Sequence, residues 1–433
     1  GSVRATELRM EGPRSEIKLR PDGRFAWPVR DLGIEPDAFS IEKLTVEDGS
    51  LTLRDLASDA ATTLDRFAFS GDVRSLVGPI RGEGAFVAAG LPHSFRVGAG
   101  RAAANGDMKF KLTVERGQQP LSIDADGTLG WAGGSPRFDG AVVFAREAGV
   151  ALVDGRAVAN EPWRITARVK ASTASAAMDQ LELSYGLDER ALKLAGTAEM
   201  TFGATPRVDA KLATRQLDLD KFVALPDSVK RLPAYALRTA FAMLESKFVP
   251  PVPVRIDVAV DAVTLGESLV QNLRGDMRSD SGGWNIETVE FRAPGAARIH
   301  ASGRLTVSPD GYAFTGPAGV EAGDPRWLAA WLEGRPVPSG PMTAPLRANG
   351  EVTYTGQCFA IEGLNAEIER KPVTGRFSYA WPSETQPKPR LEAEIAAAEL
   401  DIDAAMTMLR TALPGASLDV PGEVLLAPDL GRA

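Results

Sequence analysis

The feature that most constrains this chain is how often apolar and polar residues alternate at a period of two. That is the pattern of a strand with one buried and one wet face. In MKFKLTV, Phe110, Leu112 and Val114 share a face, with Lys109, Lys111 and Thr113 opposite. In RIDVAVDAVTL, Ile256, Val258 and Val260 do the same against Asp257 and Asp261. In KLTVEDGSLTLRD, Leu44 and Val46 precede Asp48-Gly49, and Leu51 and Leu53 follow it, so the segment predicts a hairpin turning at Asp-Gly. With 43 Gly and 30 Pro in 433 residues, many turns are expected. So long a chain exceeds one compact core and calls for several domains or an elongated repeat.

A glycine recurs inside these alternating segments, in GEGAF (residues 82–86), ADGTL (125–129), LAGTA (194–198), ASGRL (301–305) and VTGRF (373–377). Glycine within a strand marks a bulge, a bend or a close backbone approach, so the expected sheet bends at regular places.

Helical periodicity is confined to three segments. Leu237, Phe241, Leu244 and Phe248 give an apolar stripe to residues 228–248, with Pro233 near the start and Lys230, Arg231, Arg238 and Lys247 beside it. Such a helix either caps the sheet or lies on an anionic membrane surface. A second helix, about 325–333, begins at Asp324-Pro325, carries Trp327, Leu328, Trp331 and Leu332, and stops at Gly334. A third, about 403–413, carries Ile402, Met406, Leu409 and Leu413 and ends at Pro414-Gly415.

PRVDAKLATRQLDLDKF, from Pro206, and PRLEAEIAAAELDIDAAM, 183 residues later, repeat one order of residue types: a strand, two aspartates, then a helix. Asp218, Asp220, Asp401 and Asp403 are the best acid cluster, but neither copy supplies a D-x-D-x-D-G loop for a divalent cation. The reading they favour is capping, with Asp220 and Asp403 accepting from backbone N–H groups at the helix starts. SETQPKP, residues 383–389, is a loop inserted in the second copy only.

Chemistry of other kinds is poorly provided for. A net charge of -8, without basic runs interleaved with aromatics, argues against nucleic acid. One cysteine, Cys358, excludes an intramolecular disulfide, and two histidines, His93 and His300, are too few for a usual zinc site. Neither histidine lies near a nucleophile signature, and GEG and GWAGG lack the Gly-Lys-Ser/Thr ending of a phosphate loop. The expectation is therefore no catalytic, metal or cofactor site, and no enzyme. No apolar run reaches the roughly 18 residues of a spanning helix, and no signal peptide is evident. The opening Gly1-Ser2 reads as a tag scar and the ending APDLGRA as an internal cut, so a fragment of a longer protein is expected.

A sheet with one apolar face must cover it with a second sheet, helices, closure or an apolar ligand. Roughly 20 strands at about 4.8 Å each would extend a continuous sheet on the order of 100 Å. The fold class expected is mainly β: an elongated, curved antiparallel sheet forming a groove, with a few short amphipathic helices. Leu51, Leu53, Phe110, Leu112, Val114, Ile256, Val258 and Val260 are its candidate lining, and an acyl chain its natural occupant. Two or three closed β-sandwiches without a ligand are the compact alternative.

The segments IEKLTVEDGSLTLRD (41–55), LDRFAFSGDVRSLVGPIRGEGAF (64–86) and PLSIDADGTL (120–129), with the L-D-[LI]-D units at 217–220 and 400–403, resemble the AsmA-like family of Gram-negative envelope proteins. The matches are spread over most of the chain and each is a degenerate pattern of glycine and aliphatic residues. The resemblance implies bridge-like lipid transfer along a β-groove in the periplasm, tethered to the inner membrane by an N-terminal helix absent here. It implies phospholipid or another acyl lipid as partner, possible envelope protein partners, a part in outer-membrane biogenesis, and no catalytic residue. It divides the chain into N-terminal repeats (3–205), a middle repeat with the amphipathic helix (206–323) and a C-terminal repeat (324–433), all one elongated module. A scaffolding or regulatory protein of outer-membrane assembly without a lipid cavity is the other function open at this point.

Overall fold

The computed structural model describes residues 3–26, 39–74, 78–117, 121–132, 135–153, 156–224, 232–243, 250, 252–308, 311–337, 339, 345–355, 357–368, 370–381 and 390–397. The chain divides into two compact units, one comprising Gly1–Ala224, Phe248–Thr264 and Asn272–Glu287, the other Leu225–Lys247, Leu265–Gln271 and Thr288–Ala433.

The strands of the first unit begin with β1 (Val3–Ala5), β2 (Leu8–Glu11), β3 (Arg14–Leu19), β4 (Phe25–Ala26) and β5 (Phe39–Asp55). Next come β6 (Ala61–Val73), β7 (Ile80–Ala88), β8 (Leu91–Ala99), β9 (Met108–Arg116), β10 (Leu121–Ala132) and β11 (Ser135–Arg146). A side hairpin, β12 (Gly149–Val153) and β13 (Arg156–Asn160), precedes β14 (Trp163–Ala171), β15 (Ser175–Tyr185), β16 (Leu192–Thr201) and β17 (Arg207–Asp218). From β5 to β11 and on through β14 to β17, each strand pairs antiparallel with the next, because short turns join them. β17 then pairs in parallel with β18 (Val254–Leu265), which the intervening helical segments make possible. All of these strands except the side hairpin belong to one sheet, so the first unit is not a stack of closed sandwiches. Mainly β architecture with long antiparallel pairing and few helices is what the period-two pattern predicts.

The Asp48-Gly49 hairpin does not form. β5 runs straight through both residues, and its pairing with β6 shifts register between Val46 and Gly49. Asp48 takes a left-handed φ of 50°, so the turn residues serve as a bulge inside one long strand. What overrides the turn is pairing on the other edge. β1, β2 and β3 run parallel along β5 in succession, with Gly12 N–H donating to Glu47 O and Ser50 N–H to Pro13 O across the bulge.

The second unit contains β21 (Ala297–Ser308), β22 (Gly311–Ala322), β23 (Leu346–Tyr354), β24 (Cys358–Ile368), β25 (Lys371–Ala380) and β26 (Arg390–Ala397), again consecutive antiparallel neighbours. β19 (Ser268–Asp280) and β20 (Gly283–Ala293) precede them in sequence.

The helices are short: α1 (Leu219–Val223), α2 (Pro233–Met243) and α3 (Pro325–Glu333). In α3 the expected signals hold. The Asp324 side chain accepts from Arg326 N–H, Pro325 opens the helix, and Gly334 closes it in the left-handed region. Of its four apolar residues, Leu328 and Trp331 are buried, while Trp327 and Leu332 are exposed. Trp331 Nε1–H donates to Leu265 O at 2.8 Å, which satisfies the buried indole.

Of the expected stripe, only Leu237 has a described side chain. α2 starts at Pro233, and its first turn buries Leu232, Pro233 and Ala236, whereas Leu237 is 38 % exposed. Gly266 explains this: a Cβ there would meet the Pro233 ring at 2.6 Å, so the proline side of the helix is the packed one. Leu244, Phe248 and the expected helix at 403–413 lie outside the described residues, as does the 383–389 loop.

Candidate functional site

Register places the apolar residues of the first unit in rows that cross the whole sheet. One row runs Val46, Phe69, Gly84, Phe95, Val114, from β5 to β9. It continues as Ile123, Phe144, Ile165, Leu183 and Leu194, from β10 to β16. No polar side chain interrupts it. A second row of the same face holds Ile80, Ala99, Phe110, Gly127 and Gly140 and reaches Ile256 of β18 through Val169, Met178, Ala198 and Ala210.

The five glycine units explain how this face is shaped. A Cβ at Gly84 would lie 2.0 Å from Ala68 O, at Gly127 2.5 Å from Asp139 O, and at Gly196 1.8 Å from Lys211 O. In the second unit the same holds at Gly303, 2.3 Å from Thr315 O, and Gly375, 2.1 Å from Glu394 O. Gly127 and Gly140 face each other, each blocking a Cβ on the other at 2.5 Å. In the first unit these positions point to the apolar face, so the neighbouring backbone leans over that face where no side chain stands. The strands bend toward their apolar side.

Burial along the face is uneven. Val142, Ala167, Val169, Ala176, Leu181 and Ala198, from β11 to β16, form a buried cluster. In β7, β8 and β9 no residue is buried, and the apolar positions stay half-exposed. That stretch is aromatic. Phe95 stacks on Phe67 at 5.6 Å and on Phe69 at 6.3 Å between ring centres, and Phe86 lies 5.9 Å from Phe95 and 5.0 Å from the His93 ring. Phe110 meets Phe138 edge-on at 6.4 Å.

The opposite face carries paired charge: Lys111 with Asp126 at 3.1 Å, Arg168 with Asp139 at 3.2 Å, and Arg96 with Glu115 at 3.4 Å. Two surface hollows, of about 630 and 740 Å³, are lined chiefly by that face, among Thr45, Glu83, Arg96 and Thr113 in one and Lys43, Asp72, Arg81 and Lys111 in the other. The first is net acidic, with Glu47, Glu83 and Glu115 against Arg96, and the second mixes both signs.

Of the predicted lining residues, Phe110 and Val114 stand half-exposed in these rows, and Leu112 half-exposed in the row between them. Ile256 and Val258 pair with Ala210 and Leu212 in the same face. Val260 is fully buried, so it belongs to packing, and Leu53, opposite Thr62, is 43 % exposed. Leu51 pairs with Leu64 just beyond the β5 bulge. The residues the alternation alone did not single out are Phe67, Phe69 and Phe95. Their signal was present, as aromatics alternating in RFAFSG and HSFRV, but only the register brings them together.

The paired aspartates are architecture, with one correction. Asp218, not Asp220, caps α1: its carboxylate accepts from Lys221 N–H at 2.8 Å. The helix begins two residues earlier than expected, directly after β17 ends at Asp218, which leaves Asp220 buried in the first turn. Asp401 and Asp403 lie outside the described residues. Among the described residues no three His, Cys, Asp or Glu side chains group to hold a metal. His93 Nδ1 lies 2.8 Å from Leu91 O and its ring is stacked, while burial pushes the Cys358 thiol above its ordinary range. No helix of the described residues is long and apolar enough to cross a membrane.

No protein-family model, curated protein or solved structure matches this chain.

Proposed function

We propose that the chain binds acyl lipid along the apolar face of its bent sheets and takes part in moving phospholipid between the inner and outer membranes, without catalysis. The observation that carries this reading is the aromatic stretch β7–β9, where continuous apolar rows stay half-exposed. Leaving such a face to water is costly, at about 25 cal/mol per Å² of apolar surface. An acyl chain lying on it gains about 0.8 kcal/mol per methylene removed from water, so about ten methylenes reach the micromolar range before ordering costs. The resemblance to AsmA-like proteins supplies the location proposed: the periplasm, with an inner-membrane anchor and envelope proteins as further partners.

The test is direct. Organic extraction of the purified protein followed by mass spectrometry is expected to release phospholipid, and the stripped protein to take up a fluorescent phospholipid. Val258→Glu, which puts a carboxylate in the β18 part of the face, is expected to cut that uptake. Protein that carries no lipid and takes up none would sink the reading. The second reading, a ligand-free scaffold of outer-membrane assembly, draws on the buried β11–β16 cluster, which covers itself without a ligand.

A further inference from the structure

Two distant parts of the first unit's sheet meet through one turn. From β3 through β5 to β11 and on to β14 the sheet makes eight strand-to-strand steps, which at about 4.8 Å each is on the order of 40 Å. Yet the Thr173 hydroxyl, in the turn after β14, donates to Gly23 O, in the turn after β3, at 3.0 Å. A Cβ at Gly23 would lie 2.5 Å from Thr173 Oγ1 and 3.4 Å from Ser135 Oγ at the start of β11. The four residues from Leu19 to Gly23 reach at most about 13 Å, so a flat sheet could not make this contact. The sheet curls, and the turn bridges the gap that the curl leaves. On β11, β14 and β15 the apolar face is buried at Val142, Ala167, Val169 and Ala176, while Asp139, Arg168 and Lys170 of the other face are exposed. The apolar face is therefore the inside of the curl.

The bridge is a firm arm with a weak hold at its tip. β3 lies in parallel along residues 50–55 of β5, and Leu56 N–H donates to Leu19 O at 2.9 Å. The turn beyond it is self-contained: Gly23 N–H donates to Arg20 O, Arg20 N–H to Arg24 O, and Asp22 Oδ1 accepts from Arg24 N–H. Pro21-Asp22-Gly23 is turn chemistry, and Gly23, at φ 78°, takes the left-handed conformation that closes it. Pro21, Asp22 and Arg24 are exposed, and Gly23, the point of contact, is half-buried. Among the described residues one neutral side-chain hydrogen bond ties this tip to the β14–β15 turn. Such a bond shifts an equilibrium only about five-fold, so the tip can let go while the arm stays folded.

Resting on the lipid reading above, we infer that the turn at residues 20–24 is a clasp: it holds the curled sheet shut across the apolar face, and it releases Thr173 when an acyl lipid enters or leaves.

The experiment locks the clasp in the full chain. Gly23→Cys/Thr173→Cys is made in a Cys358→Ser background, since the Cβ positions lie 3.8 Å apart, the usual separation in a disulfide. Mild oxidation is expected to join the two cysteines, seen by mass spectrometry of peptides. The joined protein is expected to take up a fluorescent phospholipid about 10-fold or more slowly than the same protein reduced, and reduction to restore the rate. A folded protein that does not cross-link overturns the contact. Equal uptake before and after cross-linking overturns the gating and leaves the lipid reading standing, whereas no uptake by the reduced protein or by Cys358→Ser alone overturns the lipid reading. Cysteine at a left-handed position strains the turn, so Thr173→Val, which removes only the donor, is the second variant. Its lipid uptake and its tryptic cleavage after Arg24 are both expected to rise about five-fold, as the open population does. Wild-type rates of both in Thr173→Val overturn the clasp.

Discussion

Two stretches of the same sheet treat their apolar faces in opposite ways. Between β11 and β16 the face holds a buried cluster of small and aliphatic residues, Val142, Ala167, Val169, Ala176, Leu181 and Ala198, against which Phe138 and Phe144 pack partly buried. Across β7–β9 it is built of Phe86, Phe95, Phe110, Leu112 and Val114, and nothing on it is buried. Alternation is equally regular in both. The difference lies in side-chain size: small and aliphatic residues pack into a buried cluster, whereas stacked phenylalanines hold a half-exposed surface. One stretch is a core; the other is the surface proposed to receive a ligand.

The sharpest way to break this contrast is at the glycines. Gly127→Val drives side-chain atoms into Asp139 O and the Gly140 Cα, and is expected to cost about 4 kcal/mol or more in chemical denaturation. Gly98→Val, in β8 where a Cβ meets nothing within 4 Å, is expected to cost about 0.5 kcal/mol or less. Should both behave alike, the bend is not what shapes the face. Leu181→Ala, in the buried stretch, is expected to cost about 3 kcal/mol through lost burial and a cavity, with lipid uptake retained by the folded fraction. Phe95→Ala inverts that profile: a loss of about 1.5 kcal/mol, from two aromatic stacks, with uptake reduced several-fold. An F95A protein with full uptake would deny the aromatic stretch its role. Outside both stretches, Asp218→Ala removes the α1 cap and is expected to cost about 1 kcal/mol without touching uptake.

The smallest effect concerns the parallel edge of β5. Arg54, donating to Glu16 at 2.8 Å, holds that carboxyl below its usual range, and Ser58 with the Ala57 N–H does the same for Asp55. Depressed carboxylates stabilise the fold above their unfolded values, and that contribution disappears as pH falls through the lower folded values, below about 4. The Glu16–Arg54 pair is solvent-exposed, so salt is expected to shrink its share of the effect. Denaturation midpoints at pH 3 and pH 6, in the wild type and in Glu16→Gln, give the readout: the variant should lose less between the two.

Much of this was legible along the chain, for reasons that differ between elements. The strands were legible because alternation is a one-dimensional signature of a one-sided sheet. α3 was legible because Asp324, Pro325 and Gly334 act on their own backbone, within a turn. The Asp48-Gly49 pair misled because the same left-handed conformation that makes a tight turn also makes a bulge, and the parallel strands on the far edge of β5 chose the bulge. α2 was legible only in part. Periodicity proposes a stripe, but contact with Gly266 decides which side of the first turn is packed, and Leu237 was left outside.

The sequence by itself determined that this chain is mainly β, that each strand has an apolar and a polar side, and that glycines recur inside strands, since these follow from side-chain alternation and backbone freedom. Only the tertiary structure decided which residues line up across strands, because register is set by pairing partners and bulges far away in sequence. It put Phe69, Phe95 and Phe144 on one row, a juxtaposition that no local pattern encodes.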